Sequence, residues 1–196
     1  MEFVRNTFLW SLIITFGLLQ LAYAPRPFIS DFDTLNVDVN KKFVKFCNFT
    51  LIPYNNHQAI NGNIFFRKDI YNISVVHWVT SFKSDGRLWV LYNITMNGCQ
   101  LLEDKFNNLN VITKAVVQGI KQKMPALPNG CPFKKDVNHA LSHFYLDEEM
   151  LPVFVPNIKF ETAFNLLSNN EYFFKLRLTA HIESITGKGN KTRKRP

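Results

Sequence analysis

The chain changes its pattern at residues 96–102, where the sequence reads Met-Asn-Gly-Cys-Gln-Leu-Leu. Before this stretch, apolar and polar residues alternate, which is typical of half-buried strands. After it, apolar residues recur every three or four positions, which predicts one amphipathic helix over residues 100–123. Asparagines at 107, 108 and 110 allow a break in that helix. The proline-rich segment 124–132 ends the pattern. The fold must therefore join a sheet to a helix at this point.

The N-terminus has the features of a secretory signal peptide. Arg5 is followed by an apolar run over 8–21 and by Ala-Tyr-Ala at 22–24, a small-residue cleavage site. This apolar run is too short to form a typical membrane-spanning helix, and no second apolar run of that length follows. We therefore expect a secreted, extracellular protein that is not integral to a membrane. Its parts are a signal peptide (1–24), a single domain (25–186) and a basic tail (187–196). Four glycosylation signals agree with secretion: Asn48, Asn72, Asn93 and Asn190.

A hairpin signal, Asp85-Gly86, separates two strongly strand-like runs. With these two residues as the loop, residue i faces residue 171 − i, and Asn72 and Asn93 then point outward together. Because a glycosylated asparagine must face solvent, a slip of one residue is excluded. The inward set is Ile73, Val75, His77, Val79, Leu88, Val90, Tyr92, Ile94 and Met96. The outward apolar set is Val76, Trp78, Trp89 and Leu91. The same argument at Asn48 sends Lys45, Cys47, Phe49 and Leu51 inward.

The remaining segments complete a β-rich pattern. Residues 25–36 read as an extended lead-in, and Asn61-Gly62 reads as a turn. Residues 139–146 form a candidate strand, and a second hairpin joins 158–166 to 172–182. About seven short antiparallel strands plus one helix predict a mainly β protein. The expected architecture is a two-layer antiparallel β-sandwich, immunoglobulin-like, with the amphipathic helix over one end.

Three cysteines remain after residue 24, which in a secreted protein predicts one disulfide and one free thiol. We predict the pair Cys99–Cys131, because the segment 124–132 can turn the chain back. The pair Cys47–Cys99 is the alternative. A Cys99–Cys131 bond would tether the helix across the rim of the sandwich and make the opening stretch a candidate hinge for access to the interior.

Charge and chemical motifs argue against several classes of function. Five positive charges of the formal +8 lie in the tail, which is either a solvated end or a contact for anionic lipid or glycan. With secretion expected, we predict no nucleic-acid partner. His139 and His143 are spaced i, i+4 but lack a third ligand, and the run 147–149 is read as a solvated acidic turn. We expect no enzyme activity, no metal and no cofactor.

An ordered set of motifs resembles a known family. It comprises Cys47, Asn61-Gly62, the stretch 97–102, Leu127-Pro128, Cys131-Pro132-Phe133, Leu151-Pro152 and Val155-Pro156. Over residues 40–183 the chain resembles an insect family of secreted proteins of unknown function that includes the CheB-type chemosensory proteins. That family is similar to the ML lipid-recognition domain and the ganglioside activator protein, which are β-sandwiches that hold lipid between their sheets. The resemblance implies an ML-type sandwich and a hydrophobic ligand, a lipid or a pheromone-like molecule; it implies no catalytic residues.

Two functions follow as hypotheses. The first is a secreted carrier, active in chemosensation, that holds a hydrophobic small molecule or lipid between its sheets. Its cavity would be lined by Phe49, Val75, Val79, Val90, Tyr92, Ile94, Phe106, Phe160, Phe164, Phe174, Leu176 and Leu178. The alternative is an extracellular interaction module with a filled core. That module would bind a membrane receptor or a glycan through Val76, Trp78, Trp89 and Leu91.

Secretion gives the first testable prediction. When the full chain is expressed in insect cells, we expect the protein in the medium, with Pro25 as its first residue and with N-linked glycans. N-terminal sequencing, and mass spectrometry before and after enzymatic deglycosylation, measure both properties. Retention in the cell pellet with residues 1–24 intact would contradict this prediction.

Overall fold

The structure is a computed structural model that describes residues 28–82, 87–105, 109, 111–152 and 155–185, without the side chains of residues 111 and 112. Eight strands are present in the described residues: β1 Phe28–Val39, β2 Val44–Tyr54, β3 His57–Phe66, β4 Ile73–Phe82, β5 Leu88–Asn97, β6 His139–Phe144, β7 Ile158–Ser168 and β8 Glu171–Ser184. Helix α1 spans Gly98–Leu102, helix α2 spans Val111–Lys123, and a 3-10 turn spans Glu148–Met150. The described part of the chain is therefore mainly β, as the sequence predicts.

The strands form two antiparallel sheets. The larger sheet has the order β1-β8-β7-β4-β5, and the smaller has the order β2-β3-β6. Their apolar inner faces pack toward each other, so the predicted β-sandwich is confirmed. Helix α2 contacts β6 and the 3-10 turn. The hydroxyl of its Thr113 also lies 3.3 Å from that of Tyr92 on β5. The helix thus extends the layer of the smaller sheet across the larger one.

The lead-in and the first turn were predicted wrongly. Residues 28–39 are not a lead-in but a full strand, because β1 pairs with the last strand, β8, along its whole length. Asn61-Gly62 lies inside β3 rather than in a turn. The turn is Asn55-Asn56, where both residues have positive φ (46° and 65°), as a two-residue hairpin loop between Tyr54 and His57 requires.

The predicted register of the β4–β5 hairpin is confirmed over most of its length. Partners from Ser74 with Asn97 to Val79 with Tyr92 follow the 171 − i rule. A bulge then shifts the pairing, so that Thr80 faces Val90. The loop residues Asp85 and Gly86 lie outside the described residues.

A second bulge explains the wrong prediction for Lys45. Val44 pairs with Phe66 and Phe46 pairs with Phe65, which leaves Lys45 as the extra residue of β2. Its side chain is exposed, and its Nζ lies 3.0 Å from Oδ1 of Asp136. The alternation therefore holds only from Cys47 onward, where Asn48 is exposed as predicted.

The predicted long helix is divided in two. Asn97 caps α1 by accepting hydrogen bonds from the backbone N–H groups of Cys99 and Gln100. Helix α1 ends at Leu102, and α2 resumes at Val111 after the asparagine-rich stretch. The disulfide Cys99–Cys131 is present, with 5.2 Å between the Cα atoms, which confirms the predicted pair. It ties the start of α1 to the segment that follows α2.

Gly62 is a position where the fold depends on a missing side chain. It faces Phe49 across β2 and β3. A Cβ at residue 62 would lie 2.1 Å from the carbonyl oxygen of Asn48 and 2.6 Å from the Cα of Phe49. Both are backbone atoms, so the two strands would have to separate.

We therefore predict that Gly62→Ala lowers the free energy of unfolding by about 2–3 kcal/mol, the upper end for overpacking. Gly130→Ala is the matched control, because its Cβ would be 3.4 Å from Glu103 atoms, and it should change stability by less than about 1 kcal/mol. Urea denaturation measures both. Equal stability of the two variants would refute this account of Gly62.

Candidate functional site

A cavity of about 500 Å³ lies between the two sheets. The larger sheet contributes Phe32, His77, Val79, Leu91, Tyr92, Ile158, Phe160, Thr162, Phe164, Leu166, Phe173, Phe174, Leu176, Leu178 and Ile182. The smaller sheet contributes Phe49, Ile60, Ile64, Phe66, Leu141 and Phe144. Helix α2 and the connecting segments contribute Val116, Ile120, Met124, Leu127, Phe133, Leu146, Leu151, Pro152, Val155 and Pro156. Both sheets and the helix therefore enclose one apolar space.

The cavity reaches the surface at one end of the larger sheet. Leu91 lines the cavity and is 42% exposed. Pro152 and Pro156 also line it and are exposed. Val79 pairs with Tyr92 on one side and with Thr162 on the other, so the start of β5 and the start of β7 lie at the same end. The rim therefore lies between β5 and the segment that leads into β7.

One polar cluster interrupts the apolar wall. Among the described lining residues, all but His77, Tyr92 and Thr162 are apolar. His77 Nε2 lies 2.9 Å from the hydroxyl of Thr162, and the hydroxyl of Tyr92 lies 3.4 Å from the same nitrogen. The imidazole stacks on the ring of Phe164, with 3.9 Å between centroids. Strands β4, β5 and β7 thus bring three hydrogen-bonding side chains to one place.

His77 is neutral at physiological pH. Its side chain is buried, and desolvation lowers its pKa to about 4. A neutral imidazole has one nitrogen that donates and one that accepts. The cluster therefore offers uncharged hydrogen-bonding groups only.

Eight of the residues predicted to line a cavity do so: Phe49, Val79, Tyr92, Phe160, Phe164, Phe174, Leu176 and Leu178. Val75 is buried in a core cluster beside the cavity, and Ile94 is half-buried outside its lining. Val90 is 56% exposed, which corrects its predicted inward position. The bulge in the β4–β5 pairing is the reason, because it turns Leu91 inward instead. Phe106 lies outside the described residues.

Two of the three polar residues, His77 and Thr162, were not among those that the sequence predicted to line the cavity. The alternation placed His77 inward, and Thr162 stands between Phe160 and Phe164 on the inward face of β7. Both could have been found by asking which polar residues share a face with large aromatic ones. No such signal marks the wall residues from the segment before β7, because no periodicity shows where an irregular segment lies. They are Leu146, Leu151, Pro152, Val155 and Pro156.

The disulfide and an ion pair hold α2 in the wall. Lys121 Nζ lies 2.7 Å from Oδ1 of Asp104 and also donates a hydrogen bond to the carbonyl of Leu102.

The third cysteine, Cys47, is half-buried and forms no disulfide. Burial raises the pKa of its thiol to about 11, so the thiol stays protonated.

The predicted glycosylation sites lie on the surface wherever the structure describes them. Asn48, Asn72 and Asn93 are exposed, and Asn190 lies outside the described residues.

The two histidines at 139 and 143, for which the sequence predicts no metal site, have different surroundings. His139 packs against the rings of Phe66 and Phe133, whereas His143 packs on Tyr54. Within the described residues, no group of three metal-ligating side chains occurs.

An exposed apolar patch lies at the rim. It consists of Phe82, Leu88, Trp89, Val90 and Leu91, which are 36–58% exposed. Of the outward apolar residues that the sequence predicted, Trp89 and Leu91 are in this patch, and Val76 and Trp78 are half-buried.

In the part of the chain that the structure describes, no helix has the length and apolarity to cross a membrane.

A comparison with known protein families finds a match to part of the chain. Residues 71–162 match the family described as "Protein of unknown function (DUF1091)". The matched region runs from the start of β4 into β7 and contains both bonded cysteines and all three polar residues of the cavity. No curated protein matches the chain.

The burial of His77 predicts a pH dependence of stability. In the unfolded chain its pKa is about 6.5, and in the folded protein it is about 4, so the unfolded state binds the proton more readily between these values. The contribution of His77 to the free energy of unfolding is complete above about pH 6.5. It should fall by up to about 3 kcal/mol as the pH is lowered to 4. His77→Gln should lose this part of the pH dependence in urea denaturation between pH 4 and 7. Parallel curves for the two proteins would contradict the prediction.

Proposed function

We propose that the chain is a secreted carrier that holds a hydrophobic small molecule or lipid in the cavity between its sheets. The observation that carries the proposal is the cavity itself, which has a volume of about 500 Å³ and is open at one end. Its described lining residues are apolar except for one polar cluster. Pockets for small organic ligands have volumes of roughly 300–1,000 Å³ and are mostly apolar. The volume and the chemistry of the wall both suit such a ligand.

The free energy for binding would come from removing the ligand from water. Burial of about 200 Å² of apolar ligand surface contributes about 5 kcal/mol at 25 cal/mol per Å², before the entropic cost of association. No charged side chain is among the described residues of the wall, so this term is not opposed by the desolvation of a charge of the protein.

The resemblance to CheB-type chemosensory proteins and to the ML lipid-recognition domain supports the same class of ligand. It also suggests chemosensation as the setting and a lipid or pheromone-like molecule as the natural ligand. The exposed positions of Asn48, Asn72 and Asn93 fit an extracellular glycoprotein. These features support the proposal together with the cavity.

A second candidate function rests on the exposed patch at the rim. Phe82 pairs with Leu88, so these exposed apolar residues lie together at one end of the β4–β5 hairpin, and exposed apolar surface of this kind marks many binding sites. An extracellular module that binds a receptor or a glycan through Trp89 and its neighbours would use it. The filled core that this alternative expects is not what the structure has, which favours the carrier.

The carrier proposal predicts that filling the cavity removes binding. Val116→Trp places an indole from α2 into the cavity and should weaken the binding of diphenylhexatriene, a hydrocarbon dye, at least about tenfold. Gln118→Trp adds the same side chain on the exposed face of the same helix and should bind the dye as the wild type does. Fluorescence titration of the purified, secreted proteins measures both.

The natural ligand is sought by organic extraction of the secreted protein followed by mass spectrometry. We expect a co-purifying apolar molecule from wild type and none from Val116→Trp. An empty wild-type extract, together with no binding of the dye, would overturn the carrier function and leave the surface-mediated function as the favoured one.

A further inference from the structure

The polar cluster restricts which apolar molecule the cavity can hold. His77, Tyr92 and Thr162 come from three adjacent strands and meet on one part of the wall. The other described residues of the wall are aliphatic, aromatic or proline. Among the described side chains, a ligand that fills this space therefore meets hydrogen-bonding groups at one place only.

The cluster is uncharged. None of the described residues on the wall is a lysine, arginine, aspartate or glutamate. Desolvation holds the pKa of His77 near 4, so the imidazole carries no charge at neutral pH. An ionised group that entered the cavity would lose its hydration without gaining a counter-charge, which is costly.

The cluster has the geometry to bond a ligand oxygen. The hydroxyl of Tyr92 lies 3.3 Å from the hydroxyl of Thr113 and 3.4–3.5 Å from the two ring nitrogens of His77. Hydroxyl groups and a neutral imidazole can both donate and accept hydrogen bonds, so an alcohol or carbonyl oxygen at this part of the wall can bond to the cluster.

From this arrangement we infer that the ligand is a neutral amphiphile. It has a hydrocarbon body and one uncharged hydrogen-bonding group, such as an alcohol, an ester or a ketone, and that group lies at the His77–Tyr92–Thr162 cluster. The inference rests on the proposed carrier function and names its ligand class. Charged amphiphiles of the same length, fatty-acid carboxylates among them, are discriminated against.

The test is a headgroup series in the secreted wild-type protein at pH 8. Dodecanol, methyl laurate, laurate and dodecyltrimethylammonium share similar chains and differ in charge; each is used below its micelle concentration to displace bound diphenylhexatriene. We expect the two neutral compounds to bind at least about tenfold more tightly than either ion, a difference of about 1.4 kcal/mol. Laurate or the ammonium compound binding as tightly as dodecanol would overturn the inference.

Variants locate the polar group. Tyr92→Phe removes one hydroxyl from the cavity and should weaken dodecanol binding about fivefold, which is within the range for one hydrogen bond. It should weaken dodecanol binding more than it weakens diphenylhexatriene binding, because that dye has no polar group. Tyr145→Phe, which removes a hydroxyl from a side chain outside the cavity lining, should change neither affinity. Unchanged dodecanol affinity in Tyr92→Phe would refute the assigned position.

The two proposals fail in different ways. If diphenylhexatriene does not bind the wild type and the wild-type extract is empty, the carrier function itself is wrong. If the dye binds but the headgroup series shows no preference for neutral compounds, the carrier function stands and the ligand class is wrong. The wild-type series decides this even if a variant does not fold.

Discussion

The larger sheet has five strands and the smaller sheet has three. The smaller sheet alone therefore does not cover the apolar inner face of the larger sheet along its whole width. Helix α2 supplies the missing cover, because it lies beside β6 and reaches β5 through the contact between Thr113 and Tyr92. A helix and an irregular segment do not interdigitate with a sheet as a second sheet would. The Cys99–Cys131 bond and Lys121 hold the helix in place, and the cavity lies in the space between the layers.

Much of the fold could be predicted from local pattern. Alternation and the two glycosylation signals of the β4–β5 hairpin predicted the correct register up to Val79. The proline-rich segment 124–132, which can turn the chain back, led to the correct disulfide. Strand β1 was missed because its partner, β8, is distant in sequence and pairing between distant segments leaves no local signal. Bulges were missed for a related reason. From the sequence pattern, one extra residue such as Lys45 cannot be told apart from a shift of the strand pairing by one residue.

The candidate site could be predicted only in part. The inward faces of β7 and β8 supplied cavity residues such as Phe160 and Leu176, since period-two alternation fixes the face of every residue in a regular strand. The existence and volume of a cavity depend on how far apart the layers lie, which alternation does not determine. The bulge that shifts the register also leaves Val90 exposed and lets Leu91 line the cavity while part of it stays exposed.

The pairing of β1 with β8 also bears on how the protein is made. Their partners are on the order of 130 residues or more apart along the chain, with Val39 facing Phe174. At synthesis rates of about 5–20 residues per second, β1 waits roughly 7–30 s before β8 emerges. Until then β1 has no pairing partner in the larger sheet and one edge of β7 is unpaired, so the larger sheet is incomplete. Pairings between such distant segments form slowly. The nascent chain therefore exposes strand edges that could pair with other chains, and successful biosynthesis depends on keeping those edges apart until the last strand arrives.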